Sequence, residues 1–177
     1  MASHIRDARV DDRDAIEAVT LAAYQQYAAV MPALWKAYRQ NIVSTLAAAP
    51  ADAQIVAEDA GRIVGSVLLY RAGTVIARPG GGSLTLASPE VRLLAVAPAA
   101  RGKGVGDALM RECVARSRAS GAAHLTLHTT DMMQAAVRLY ERMGFVRAPE
   151  IDFQPAPGIV VKGYRLDLTD KSPARRS

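Results

Sequence analysis

The apolar positions of this chain repeat with a period of two, then of three to four, then of two again, and the switches mark its elements. His4 to Val10 reads as a short strand. Asp11 and Asp14 then give the acidic start of a helix whose inner face is Ile16, Val19 and Ala23. Pro32 interrupts, and Trp35 to Ala48 predicts a second, alanine-rich helix that stops at Ala49 and Pro50. Gln54 to Glu58 and Ile63 to Tyr70 are β-rich runs joined by Asp59, Ala60, Gly61 and Arg62, which predicts an antiparallel hairpin. Ala72 to Pro89 carries Pro79, Gly80, Gly81, Gly82 and Ser83, a composition that predicts a mobile loop over a site.

From Glu90 the pattern becomes strand, helix, strand, helix: Val91 to Val96, Gly102 to Ser120, His124 to Thr129, Met132 to Met143. This order implies parallel pairing with crossover helices, which leaves strand ends and helix starts on one edge where ligands collect. Phe145 to Ala148 and Ile159 to Leu168 close the chain as strands around Pro155 to Gly158, giving one domain over residues 1–168. Residues 169–177 are expected to form a solvated tail.

The chain has 177 residues, 50% hydrophobic, 22% charged and 5% aromatic, the balance of one globular domain. Of its formal charge of +5, two units lie in the last eight residues; the remaining arginines are scattered, and Phe and Trp total three, which argues against a nucleic-acid binder. Met1 to Arg9 has no apolar leader core, and the longest uncharged run, Ala18 to Trp35, is broken by Thr20, Gln25, Gln26 and Pro32, so no membrane span is expected. Cys113 is the single cysteine, which forbids an internal disulfide; a cytoplasmic location follows as the expectation. Val105, Leu109 and Cys113 share one helix stripe, so the thiol is expected in the core. His124, Thr126 and His128 share one strand face, which permits two metal ligands but no third, and no metal is expected.

The chemistry concentrates at Val91 to Gly106. Gly102, Gly104 and Gly106 remove side chains from a turn before a helix, so the backbone N–H groups of Gly102 through Asp107, Val105 among them, can converge on a phosphate, and Arg101 and Lys103 add positive field. The dinucleotide pattern G-x-G-x-x-G fails because its third glycine falls on Asp107, which argues against a nucleotide-cofactor enzyme.

Arg101-x-x-Gly104-x-Gly106, after an apolar strand and before a helix, resembles the acetyl-CoA loop of the GNAT N-acetyltransferases. Ala136, Leu139, Tyr140, Gly144 and Phe145 are similar to the family's later signature A-x-x-L-Y-x-x-x-G-F. The resemblance implies a mixed, mostly antiparallel sheet of about seven strands, flanked by about four helices, with a splayed parallel pair that holds acetyl-CoA. It implies that Leu94 and Val96 bind the pantetheine arm and that Tyr140 serves as acid or hydrogen-bond donor to the leaving thiolate. Glu90 is the candidate base or water-positioning group. The expected activity is transfer of acetyl to a primary amine by direct attack in a ternary complex; the alternative is a degenerate CoA-binding or regulatory module without turnover. Met133 departs from the family's usual Asn and cannot supply that amide's donor and acceptor. Tyr24, Tyr27, Trp35 and Tyr38 fall where the resemblance places the acceptor side. Oligomeric state is not readable from the chain, although the family favours homodimers paired through terminal strands. The acceptor itself stays open.

Overall fold

Ala60 and Gly61 turn the chain back on itself with φ of 48° and 75°, the left-handed geometry that a two-residue hairpin link requires. The structure, a computed structural model, describes residues 3–77 and 81–169, and structural statements refer to those. In chain order the strands are β1 (His4–Asp7), β2 (Gln54–Asp59), β3 (Arg62–Tyr70), β4 (Val75–Ala77), β5 (Ser83–Thr85), β6 (Glu90–Val96), β7 (His124–Thr129), β8 (Val146–Arg147), β9 (Phe153–Ala156) and β10 (Ile159–Asp167). The helices are α1 (Arg13–Tyr24), α2 (Pro32–Ala48), α3 (Val105–Ala119) and α4 (Gln134–Arg142).

The main sheet runs β1, β2, β3, β6, β7, β10, β8, with β9 also paired to β10. Every pairing is antiparallel except β6 with β7. Strand alternation divides the core into two layers. Ile55, Val67, Val91, Leu125 and Leu127 face α3 and α4, whereas Val56, Leu68, Tyr70 and Ala95 face α1 and α2. Helix α3 approaches β3 closely because Gly65 lacks a side chain: a Cβ there would lie 2.8 Å from Val105 Cγ1 and 3.0 Å from the Ala95 carbonyl. Cys113 is fully buried on the α3 stripe with Leu109.

The structure shifts several sequence expectations. Helix α2 begins at Pro32, not Trp35, because a proline at the first helical position gives up an N–H that needs no partner there. Helix α3 begins at Val105, since Gly102 and Gly104 have φ of 74° and 78° and still belong to the turn. Helix α4 likewise starts at Gln134, two residues later than the pattern suggested. Residues 72–89 are not loose throughout: β4 pairs with β5, and Leu86, buried against α1 and α2, anchors the segment through backbone bonds to Gly73 and Thr74. Pro79 and Gly80 of that loop lie outside the described residues, as does the tail beyond 169. Strand β9 was not expected because it contains Pro155, which an edge strand tolerates. Among the described residues no helix is long and apolar enough to cross a membrane.

Candidate active site

The parallel pair β6 and β7 is in register only at Glu90 opposite Thr126 and Val91 opposite Leu127; beyond that no strand pairs with β6 on this side. The cause lies in β6 itself. Ser66 faces Ala95 while Leu68 faces Arg92, so Leu93 and Leu94 together oppose Val67 and form a bulge, with Leu93 at φ 51°. A bulge bends its strand and raises its twist, and a leucine held in the left-handed region is a costly conformation maintained by its surroundings. Strand β6 therefore turns away from β7 and opens a cleft of about 430 Å³.

One wall of the cleft is the open side of β6, including Leu94 and Val96. Gly102, Gly104, Val105, Gly106 and Asp107 close one end. Open space surrounds the Cβ positions of Gly102 and Gly104, whereas a Cβ on Gly106 would press on Leu139 at 3.4 Å. Two of the three glycines thus serve backbone direction and the third serves close packing. These features fit a pyrophosphate-bearing ligand: a strand edge for an extended arm, then a helix N-terminus whose dipole favours an anion.

The expected basic residues divide. Arg101 lines the cleft, but its Nη2 donates to the Ala23 carbonyl at 2.9 Å, which caps the end of α1 and ties it to the glycine turn. Lys103 is exposed and does not line the cleft; Arg142, which the sequence did not single out, does. Asp107 is paired with Arg111 at 2.6 Å on the surface.

Tyr140 lines the cleft and is nearly buried. Its ring packs on Phe145 at 5.9 Å, and its hydroxyl makes no hydrogen bond among the described residues. Burial, with smaller contributions from Tyr27, Cys113 and Tyr38, raises its pKa, so the hydroxyl keeps its proton. Tyr24 and Tyr27 also line the cleft; Tyr24 contacts Tyr38, and Tyr38 contacts Trp35, so the aromatic residues of the first two helices do come together. Met133 caps the start of α4 and faces the cleft. Burial pushes the Cys113 thiol up to about 12, which makes it inert at neutral pH.

Glu90 is 4% exposed and lies behind the cleft wall. Its Oε1 is 3.3 Å from Arg92 Nε and its Oε2 is 3.5 Å from His128 Nδ1. Arg92 and His128 themselves line the cleft, and sequence reasoning missed both as site residues. The one available signal was that His128 shares a strand face with Thr126; the register that puts Thr126 beside Glu90 is tertiary information. His128 Nε2–H donates to the Ile151 carbonyl at 2.9 Å. Burial alone would lower the pKa of His128, but the hydrogen bond and charge of Glu90 outweigh it and the net shift is upward. The folded value therefore lies above the unfolded value of about 6.5. The charged ring stabilises the fold below that pH, and the contribution is lost as pH rises through the folded pKa. The melting-temperature gap between the wild type and His128→Gln should shrink from about pH 6.5 upward. A gap independent of pH would show that the ring is not charged in the fold.

Comparison with known proteins agrees with this geometry. The Acetyltransferase (GNAT) family model matches residues 20–145. Streptothricin acetyltransferase of Streptomyces lavendulae is 48% identical over 50 residues, 28% of this chain and 26% of that protein. An uncharacterized N-acetyltransferase of Schizosaccharomyces pombe is 33% identical over 97 residues, 55% of this chain and 56% of that protein. The chain thus spans a quarter to about half the length of these relatives. A GNAT acetyltransferase from Brucella melitensis, solved with acetyl-CoA, superposes with a TM-score of 0.57 at 24% identity, covering 97% of this chain and 91% of that one, which shows a shared fold. With most of its length matched by one family model and the strand opening characteristic of that resemblance present in the sheet, this chain belongs to the GNAT acetyltransferase family.

Proposed function

We propose that the chain is an acetyl-CoA-dependent N-acetyltransferase that acetylates a primary amine by direct attack within a ternary complex. The observation that carries this reading is the coincidence, in one cleft, of an unpaired strand edge, a glycine turn at a helix N-terminus and a tyrosine whose hydroxyl has no hydrogen-bond partner among the described residues. When bound, acetyl-CoA supplies an activated acyl group and a thiolate leaving group. In this reading the backbone of Leu94 and Val96 holds the pantetheine arm as an added strand would, and the Val96 N–H polarises the acyl carbonyl. The amides of Gly102 through Asp107 hold the pyrophosphate. Tyr140, protonated at neutral pH, donates to the departing sulfur. Glu90 takes the water-positioning role through His128 and Arg92, the groups of its cluster that reach the cleft; both of its oxygens face these partners, so the amine proton passes to solvent water.

A second reading, a CoA-binding module without turnover, is favoured by Met133, which presents a thioether to the cleft where many family members carry an amide. A thermal-shift assay with acetyl-CoA, CoA and NAD, followed by a product screen with labelled acetyl donor, separates the readings. A ligand at 100 times its Kd adds about 2.7 kcal/mol, which for a domain of this size is a rise of roughly 5–10 °C. The expected result is a shift with acetyl-CoA and CoA and acetylated product with some amine. A shift without product from any amine supports the module, and a shift with NAD alone overturns both.

A further inference from the structure

We infer that the acceptor is an amine that also bears a carboxylate, and that Arg92 recognises this anionic group. The inference rests on the acetyltransferase reading and names the substrate class of its cleft. Arg92 and Glu90 stand on the face of β6 turned toward α1 and α2, since Leu68 and Tyr70, their partners on β3, belong to the core layer beneath those helices. Arg92 lies four residues before Val96, about 13 Å along the strand, so it occupies the half of the cleft away from the glycine turn. His128 enters the same cleft from β7 across the opening.

Arg92 is the cation of this half that keeps its charge at every accessible pH. Glu90 is the carboxylate nearest to Arg92 and His128, and it is buried with one oxygen turned to each of them. It offers nothing to a bound ammonium group. The cleft-lining carboxylate among the described residues, Asp107, belongs to the helix end and faces Arg111. Carboxylates on the neighbouring elements already have cations of their own: Glu150 has Arg165, Asp152 has Arg147 and Asp131 has Lys162. A polyamine would meet the Arg92 guanidinium with no cleft-lining carboxylate in this half, among the described residues, to offset it. An amine with a carboxylate meets a guanidinium with five N–H donors, of which Glu90 at 3.3 Å and the Tyr70 ring at 5.9 Å engage only part. The planar fork of arginine suits bidentate binding of a carboxylate, and Glu90 beneath it fixes the orientation of that fork.

The test compares matched acceptors that differ only in charge, an L-amino acid with its carboxamide and with the decarboxylated amine, alongside a polyamine and an aminoglycoside. For the wild type, kcat/KM should be at least about tenfold higher for the amino acid than for its two partners. Arg92→Gln should lower kcat/KM for the amino acid by about 10- to 100-fold, mainly through KM, and so erase the preference. Arg92→Lys should restore only part of it, because a point charge lacks the fork. Both variants must keep the acetyl-CoA thermal shift, which shows that the site has folded. Equal rates across the set, a preference for the polyamine or aminoglycoside, or a preference that survives in Arg92→Gln overturns the assignment while leaving the acetyltransferase reading intact. Absence of product from every amine overturns both.

Discussion

Tyr140→Phe is expected to lower kcat by about 10²-fold or more while leaving the acetyl-CoA thermal shift in place. The substitution removes one oxygen and keeps the ring that packs on Phe145. The hydroxyl has no hydrogen-bond partner among the described residues, so its loss strands no donor or acceptor and should change stability by less than about 1 kcal/mol. A group this buried is poorly placed to earn its keep by packing alone when phenylalanine would pack as well. Its raised pKa means that it is present as a donor across the neutral range, which suits a group that meets developing negative charge on sulfur. Steady-state turnover can hide a chemical defect behind slow product release, so the comparison belongs in single-turnover experiments as well. Unaltered single-turnover rates would remove Tyr140 from the mechanism.

The second large effect is on cofactor binding. Gly104→Asp should abolish the thermal shift with acetyl-CoA and CoA. Gly104 precedes the first residue of α3 with φ of 78°, and nothing lies within 4 Å of the Cβ position, so the added side chain projects into open space. The left-handed conformation costs an L-residue about 1–2 kcal/mol, and Asp is among the residues that bear it best. A carboxylate at a helix N-terminus is itself favourable. The fold should therefore survive, and the defect should be electrostatic: a negative charge beside the place assigned to pyrophosphate. Gly104→Asn has nearly the same shape and the same tolerance of positive φ without the charge, and it should retain much of the shift. Equal shifts in the two variants would mean that the pyrophosphate does not sit on this turn.

The residues show how far the chain could be read before it was folded. The glycine turn was legible because its message is local: alternate glycines before an apolar helix specify amide direction wherever the segment lands. Tyr140 was legible through its motif, and Cys113 through the helical stripe it shares with Leu109. The bulge at Leu93 and Leu94 was not. It arises from a mismatch of register between β3 and β6, and leucine carries no sign of a positive φ. The cluster of Glu90, Arg92 and His128 was hidden for a related reason. Glu90 and His128 are 38 positions apart, and their contact exists only because β6 and β7 pair in parallel at one register.

By itself the sequence determined the order of the main elements, the sheet-facing stripes of the helices, the glycine turn before α3 and the family resemblance, because periodicity and short motifs act over a few residues. The tertiary structure decided where the parallel strands part, that Arg101 caps α1 instead of pointing freely at a ligand, and which charged groups line the cleft. Those depend on register and on side chains brought together from distant segments, and no local pattern encodes a distance between strands.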